Sequence, residues 1–168
     1  VLSFNLSTMH GGSSSAALAA GDGLSISYGD LPQGVVSEKG AGLGLRVQLL
    51  GYTHDQLNVF YAGRRLLSRA LSLSSGVGGA ASAVAQTLTL TVHHAELSLS
   101  LGPSNGTADP LIQHLPLPGW NPQRHWRMAI GSRSGVSAAR HELRDLALAV
   151  SPHFDLHAVA LELSANTQ

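Results

Sequence analysis

The sequence predicts an all-β protein built as a two-sheet antiparallel β-sandwich, and three observations carry that prediction. Apolar residues recur with a period of two along most of the chain. About ten such runs are bounded by clusters of Gly, Pro, Asn, Asp and Ser, the spacing of a sandwich. The 3.6-residue stripe of an amphipathic helix is nearly missing.

Taken in order, Leu2, Phe4 and Leu6 alternate with Ser3, Asn5 and Ser7, and Leu24, Ile26 and Tyr28 alternate with Ser25 and Ser27. After a turn cluster at 29–34, Leu43, Leu45, Val47 and Leu49 alternate with Gly44, Arg46 and Gln48. A strand over 57–61 and a return strand over 66–71 flank Ala62-Gly63-Arg64, read as a hairpin turn. The Ser, Gly and Ala-rich stretch 72–85 reads as an exposed loop. Strands resume at Leu88, Leu90 and Val92 and at Leu97, Leu99 and Leu101, on either side of His93-His94-Ala95-Glu96. Residues 102–110 read as a loop and 115–122 as an irregular crossover. Trp126, Met128 and Ile130 predict an inward-facing strand, as do Leu146, Leu148 and Val150, with Arg127, Ala129, Asp145, Ala147 and Ala149 on the opposite faces. One more strand is expected between Phe154 and Leu163. The Ala-rich segment 12–20 has helix formers without a lasting stripe and is read as a loop. Residues 1–150 are therefore expected to form one sandwich module, with 151–168 as its final strand or a linker to a following domain.

Composition narrows the function. The 168 residues hold ten basic and ten acidic side chains, and 12% are charged against about 25% in an average globular protein. The arginines are dispersed, Arg64-Arg65 with Arg69 being the one local group, read as a solvated hairpin end. No basic stripe is available to neutralise a phosphate backbone, so nucleic acid is excluded as a partner. Cysteine is absent, which rules out a disulfide framework and a thiolate metal site. The apolar runs fall short of the ~20 residues that span a bilayer. The first residues alternate like a strand already in progress, and the chain is read as mature or excised material from a larger protein.

Three segments in order resemble the concanavalin A-like lectin/glucanase superfamily, in particular its laminin-G-like modules. They are GDGLSISYGDLPQGVVSEKGAGLGLRVQLLGY at 21–52, LNVFYAGRRL at 57–66, and LPLPGWNPQRHWRMAIGSRSGVSAARHELRDLAL at 115–148. The resemblance implies a jelly-roll sandwich whose last two strands, around Trp126 and Leu146, close the fold as a pair. It also implies a place for a metal-binding Asp at the end of the 45–50 strand. Here that place reads Leu50-Gly51-Tyr52, with Asp55 alone nearby, and calcium needs six to eight oxygen ligands. No metal and no cofactor are expected.

Catalytic constellations fare no better. A glycosidase on this fold needs two carboxylates on one face, about 5 to 9 Å apart, but Glu142 and Asp145 are three residues apart and point to opposite faces of one strand. His141-Glu142-Leu143-Arg144-Asp145 begins like a zinc-protease motif and lacks its second His. Among nine histidines, His153 and His157 alone share strand-face spacing, while His93 and His94 do not. No nucleophile-elbow pattern supports a serine triad.

What remains points to recognition. Trp120, in a Pro-rich crossover, is read as covering the sandwich edge, or else as stacking on a sugar together with the loop residues Tyr52 and His54. Asn5 and Asn105 each begin an N-glycosylation sequon, Asn105 in the more loop-like setting. The expectation is a non-catalytic, extracellular or cell-surface structural or adhesive module. Its partners would be neighbouring domains or proteins of an assembly, with glycans possible and no membrane insertion within the segment. The alternative is a metal-independent carbohydrate-binding lectin domain.

Overall fold

The structure, a computed structural model, describes residues 2–11, 23–34, 36–50, 56–71, 86–103, 107–133, 140–150 and 161–163. These hold eleven strands and no helix: β1 (Leu2–Gly11), β2 (Gly23–Gly29), β3 (Leu45–Leu50), β4 (Gln56–Tyr61), β5 (Arg64–Ala70), β6 (Gln86–His93), β7 (Glu96–Pro103), β8 (Asp109–Pro116), β9 (Arg127–Arg133), β10 (Arg140–Val150) and β11 (Leu161–Leu163). They form two sheets, ordered β10-β1-β6-β7-β8 and β11-β9-β2-β3-β4-β5. Each sheet falls in its own compact unit, so the all-β, two-sheet content read from the sequence is present.

In the five-stranded sheet the alternation seen in the sequence becomes a buried face. Leu88, Leu90 and Val92 of β6 and Leu97, Leu99 and Leu101 of β7 are buried, while Thr87, Thr89, Thr91, Ser98 and Ser100 between them are half-buried. The pairings Leu90↔Leu99 and Val92↔Leu97 stack these side chains across the ladder. The β6–β7 connection turns on His94 and Ala95, both at positive φ (49° and 61°), as a two-residue type I′ turn demands, although neither is the glycine that turn favours.

The six-stranded sheet has a second apolar face, with Ile130, Ile26, Val47 and Val59 in one cross-strand row. Leu24, Leu49 and Leu57 make the next row on one side, and Met128, Tyr28 and Leu45 the row on the other. The β4–β5 turn at Ala62-Gly63 has the same paired positive φ (49° and 74°), as the sequence predicts.

Several expectations are corrected. Strand β8 begins inside the 102–110 segment expected as a loop and ends inside the 115–122 segment expected as a crossover, with Pro110 and Pro116 near its ends. It is the edge of its sheet, where a missing N–H costs no ladder bond. Leu43 precedes β3 and is 74% exposed, not part of the core alternation. Trp126 lies just before β9 and is half-buried, its ring edge-on to Tyr28 at 5.4 Å, whereas Met128 and Ile130 are buried as expected. Ala129, expected to face outward, is buried as well. β9 and β10 belong to different sheets and do not close the fold as a neighbouring pair. β11 runs parallel to β9 through Leu161↔Met128 and Leu163↔Ile130, so the sheets are not antiparallel throughout. The readings at 12–20, 72–85 and 154–160 lie outside the described residues.

Leu97 is fully buried on β7, and Leu97→Ala is expected to lower unfolding free energy by about 2–5 kcal/mol in denaturant titration. Leu43→Ala is expected to stay within about 0.5 kcal/mol of the parent. Equal costs would place Leu43 in the core and break this register.

Candidate functional site

The opposite face of the six-stranded sheet is polar. Under the period of two, Ser25 and Ser27 of β2, Arg46 and Gln48 of β3, and Asn58 and Phe60 of β4 share that face with Ala129 and Gly131 of β9. Pairing arranges them in two rows, Gly131–Ser25–Gln48–Asn58–Ser68 and Ala129–Ser27–Arg46–Phe60–Arg65. A serine on an outward face is ordinarily wet. Here both serines are 0% exposed, because the connection between β2 and β3 lies across them as a strap.

The strap is held by the groups it covers. Ser25 Oγ donates to the Ser37 carbonyl at 2.6 Å and lies 3.4 Å from the Gly131 carbonyl. The Ala41 N–H donates to Ser27 Oγ at 3.1 Å, and the Gln48 side-chain amide donates to the Lys39 carbonyl. A turn closed by the Gly40 N–H on the Ser37 carbonyl at 2.8 Å lets one short segment present these groups in succession. Arg127 donates to the Leu31 carbonyl, and Leu31 and Val36 pack with Ala129 and the half-buried Ala41. At Gly131 a Cβ would collide with the Val36 and Ser37 carbonyl oxygens, so the approach of strap to sheet requires glycine there.

Hydrogen bonding in the strap and on the face beside it is incomplete. Glu38 and Asn58 are each 5% exposed. Among the described residues, Glu38 Oε2, Asn58 Oδ1 and Arg46 Nε are buried without a hydrogen-bond partner. Two acceptors and one donor are therefore left over, where leaving a buried polar atom unmade costs about 1–3 kcal/mol. The Arg46 guanidinium stands 4.3 Å above the Phe60 ring, and burial lowers its pKa from the ordinary value without approaching neutrality. Gln56 Nε2 donates to Ser68 Oγ at 3.1 Å, and Asn58 Nδ2 lies 3.4 Å from Gln56 Oε1. The arrangement can hydrogen-bond and bind anionic groups.

The residues singled out in the sequence are scattered. Trp120 is half-buried after β8, its backbone N–H donating to the Leu117 carbonyl at 3.1 Å. Tyr52, His54, Asp55 and Asn105 lie outside the described residues, as do His153 and His157, and Asn5 is on β1. The His93 and His94 rings stack at 3.9 Å. His114 Nδ1 meets Glu96 Oε2 at 2.8 Å in an exposed pair that adds little stability. Among the described residues no group of three or more His, Asp or Glu side chains could hold a metal ion, and no helix is long and apolar enough to cross a membrane. The strap-covered row went unread in the sequence. Its available signal was the small side chains Ser25, Ser27, Ala129 and Gly131 on neighbouring strands.

No family profile and no curated protein matches the chain. A solved structure described as a functionally unknown protein from Saccharomyces cerevisiae is similar at a TM-score of 0.47 and 11% identity, over 90% of this chain and 72% of that one. That likeness assigns neither a family nor a function.

Gly131→Val is expected to lower unfolding free energy by about 1–3 kcal/mol or more by overpacking against the strap. Ser27→Ala, which orphans the Ala41 N–H, is expected to cost about 1–3 kcal/mol. Ser68→Ala on the exposed β5 should cost no more than about 0.5 kcal/mol. Denaturant titration that left Gly131→Val unaffected would remove the strap from this face.

Proposed function

We propose that the chain is a non-catalytic recognition module, a jelly-roll β-sandwich of the concanavalin A-like kind that it resembles, working in an extracellular or cell-surface assembly. The observation that carries this reading is the strap. Over β9 and β2 the polar sheet face is covered by the chain's own backbone, and the Ser25 and Ser27 hydroxyls and the Gln48 amide are committed to that packing. A face used in this way supports architecture and leaves binding to edges and turns. The sandwich part of the proposal rests on one leucine- and valine-rich buried face in each sheet. The extracellular part rests on the sequons at Asn5 and Asn105.

A metal-independent lectin is the second reading, favoured by the half-buried Trp120 beside Gly119, which turns at φ 72°. An aromatic ring at such a turn offers a flat apolar face of the kind that stacks on a sugar.

An immobilised-glycan screen paired with a hydrolysis panel of β-linked oligosaccharides separates the readings. The recognition module is expected to show no turnover and no sugar-competed binding. Saturable binding competed by free sugar and lost in Trp120→Ala would replace it with the lectin, and hydrolysis would overturn both.

A further inference from the structure

The six-stranded sheet ends at β5, and among the described residues no strand pairs along its outer side. Arg64, Arg65, Ser68, Arg69 and Ala70 are exposed, and Leu66 and Leu67 are half-buried. An edge strand carries unpaired N–H and C=O groups that a further strand can take up.

Charge gathers on this edge. The sequence from 45 to 70 holds four arginines against one carboxylate, Asp55, in a chain whose total of ten basic and ten acidic residues is balanced. Among the described residues Arg64, Arg65 and Arg69 have no carboxylate within ion-pairing distance. The register sets them on both faces. Arg64 lies opposite Tyr61 and Arg69 opposite Leu57 on the apolar side, while Arg65 lies opposite Phe60 on the polar side. A shift in register between Val59 and Phe60 leaves Leu66 as the extra residue, and pairing is regular from Leu67 to Ala70. Beside the hairpin tip stands Leu43, 74% exposed, its Cδ2 3.4 Å from where a Cβ on Gly63 would be.

We propose that β5 accepts an extended acidic segment of a partner protein as an added strand. The backbone would pair along Leu67–Ala70, the carboxylates would meet Arg64, Arg65 and Arg69, and an apolar side chain would rest on Leu43. Strand addition takes affinity from main-chain hydrogen bonds and specificity from alternate side chains, and an added strand with acidic residues on both faces meets arginines on both. A second copy of this chain fits poorly, since pairing β5 with itself brings arginine against arginine. A sulfated polysaccharide would use the arginines but neither the open backbone edge nor the exposed leucine. The proposal rests on the recognition-module reading and names the partner of its exposed edge.

The test uses the full chain and a fluorescein-labelled peptide of Glu-Glu-Val repeats, which sets carboxylates on both faces of an extended strand, followed by anisotropy at low and near-physiological salt. Saturable binding is expected, weakened at least about tenfold in the Arg64→Gln, Arg65→Gln, Arg69→Gln triple variant and by N-methylation of alternate peptide amides. The exposed Arg124→Gln is the charge control and should bind as the parent does. Unchanged far-UV circular dichroism and melting show that the triple variant is folded. The wild-type measurement with the N-methylated peptide needs no variant. Absence of peptide binding overturns the proposal, showing that charge and bulge merely guard the edge. Equal binding of the N-methylated peptide overturns strand addition in favour of charge alone. Binding of a heparin oligosaccharide without the peptide overturns it in favour of a sulfated glycan. None of these touches the reading it rests on, which fails instead on oligosaccharide hydrolysis or sugar-competed binding.

Discussion

Two buried serine hydroxyls fix how the β2–β3 connection lies on the six-stranded sheet. Ser25 and Ser27 are removed from water at the middle of β2, and a hydroxyl in that position must find a protein partner or lose a desolvation penalty of about 1–3 kcal/mol. Both partners come from the β2–β3 connection, a carbonyl for Ser25 and an N–H for Ser27. That exchange determines much around it. The neighbouring β9 has to present Ala129 and Gly131, because larger side chains would hold the strap away. Gln48 on β3 has to reach the Lys39 carbonyl. The apolar face of the same strands then carries the ordinary burial of Ile26, Val47, Val59 and Ile130.

The same constraint shapes the functional reading. A sheet covered on one face by apolar burial and on the other by its own strap has its edges and turns left for partners. The polar chemistry that remains unspent, Asn58, Arg46 over Phe60, and Arg65, lies on β3, β4 and β5, toward the open edge. Arginine suits that place, since its planar fork pairs with carboxylates while its stem lies along apolar surface. Neutral overall charge thus conceals a local excess that matters at one edge.

The period of two made most of the fold legible in the sequence. Leucine and valine alternation on β6 and β7 identifies strands that are buried on the expected side, and the turns at Ala62-Gly63 and His94-Ala95 fall inside the segments Ala62-Gly63-Arg64 and His93-His94-Ala95-Glu96 that separate alternating runs in the sequence. What escaped has physical causes. Proline reads as a loop until a strand is known to be an edge, which hid β8. Alternation identifies the two faces of a strand but not what covers the polar one, so Ser25 and Ser27 looked solvent-facing and the strap went unseen. Leu43 extended an apolar pattern that its backbone had not yet entered. Trp126 sits one residue ahead of β9 and packs on Tyr28 at half burial, a boundary that periodicity does not resolve. The basic edge was visible as Arg64-Arg65 and Arg69, but its meaning depends on β5 being the last strand, which only pairing reveals.

Amide hydrogen exchange of the strap tests the central claim most directly. The Gly40 N–H donates to the Ser37 carbonyl and the Ala41 N–H to Ser27 Oγ, so both are expected to exchange as slowly as ladder amides of β2 and β3, and Ser27→Ala should speed Ala41 selectively. Exchange of Gly40 and Ala41 at the rate of an open loop, with β2 and β3 still protected, would contradict the account.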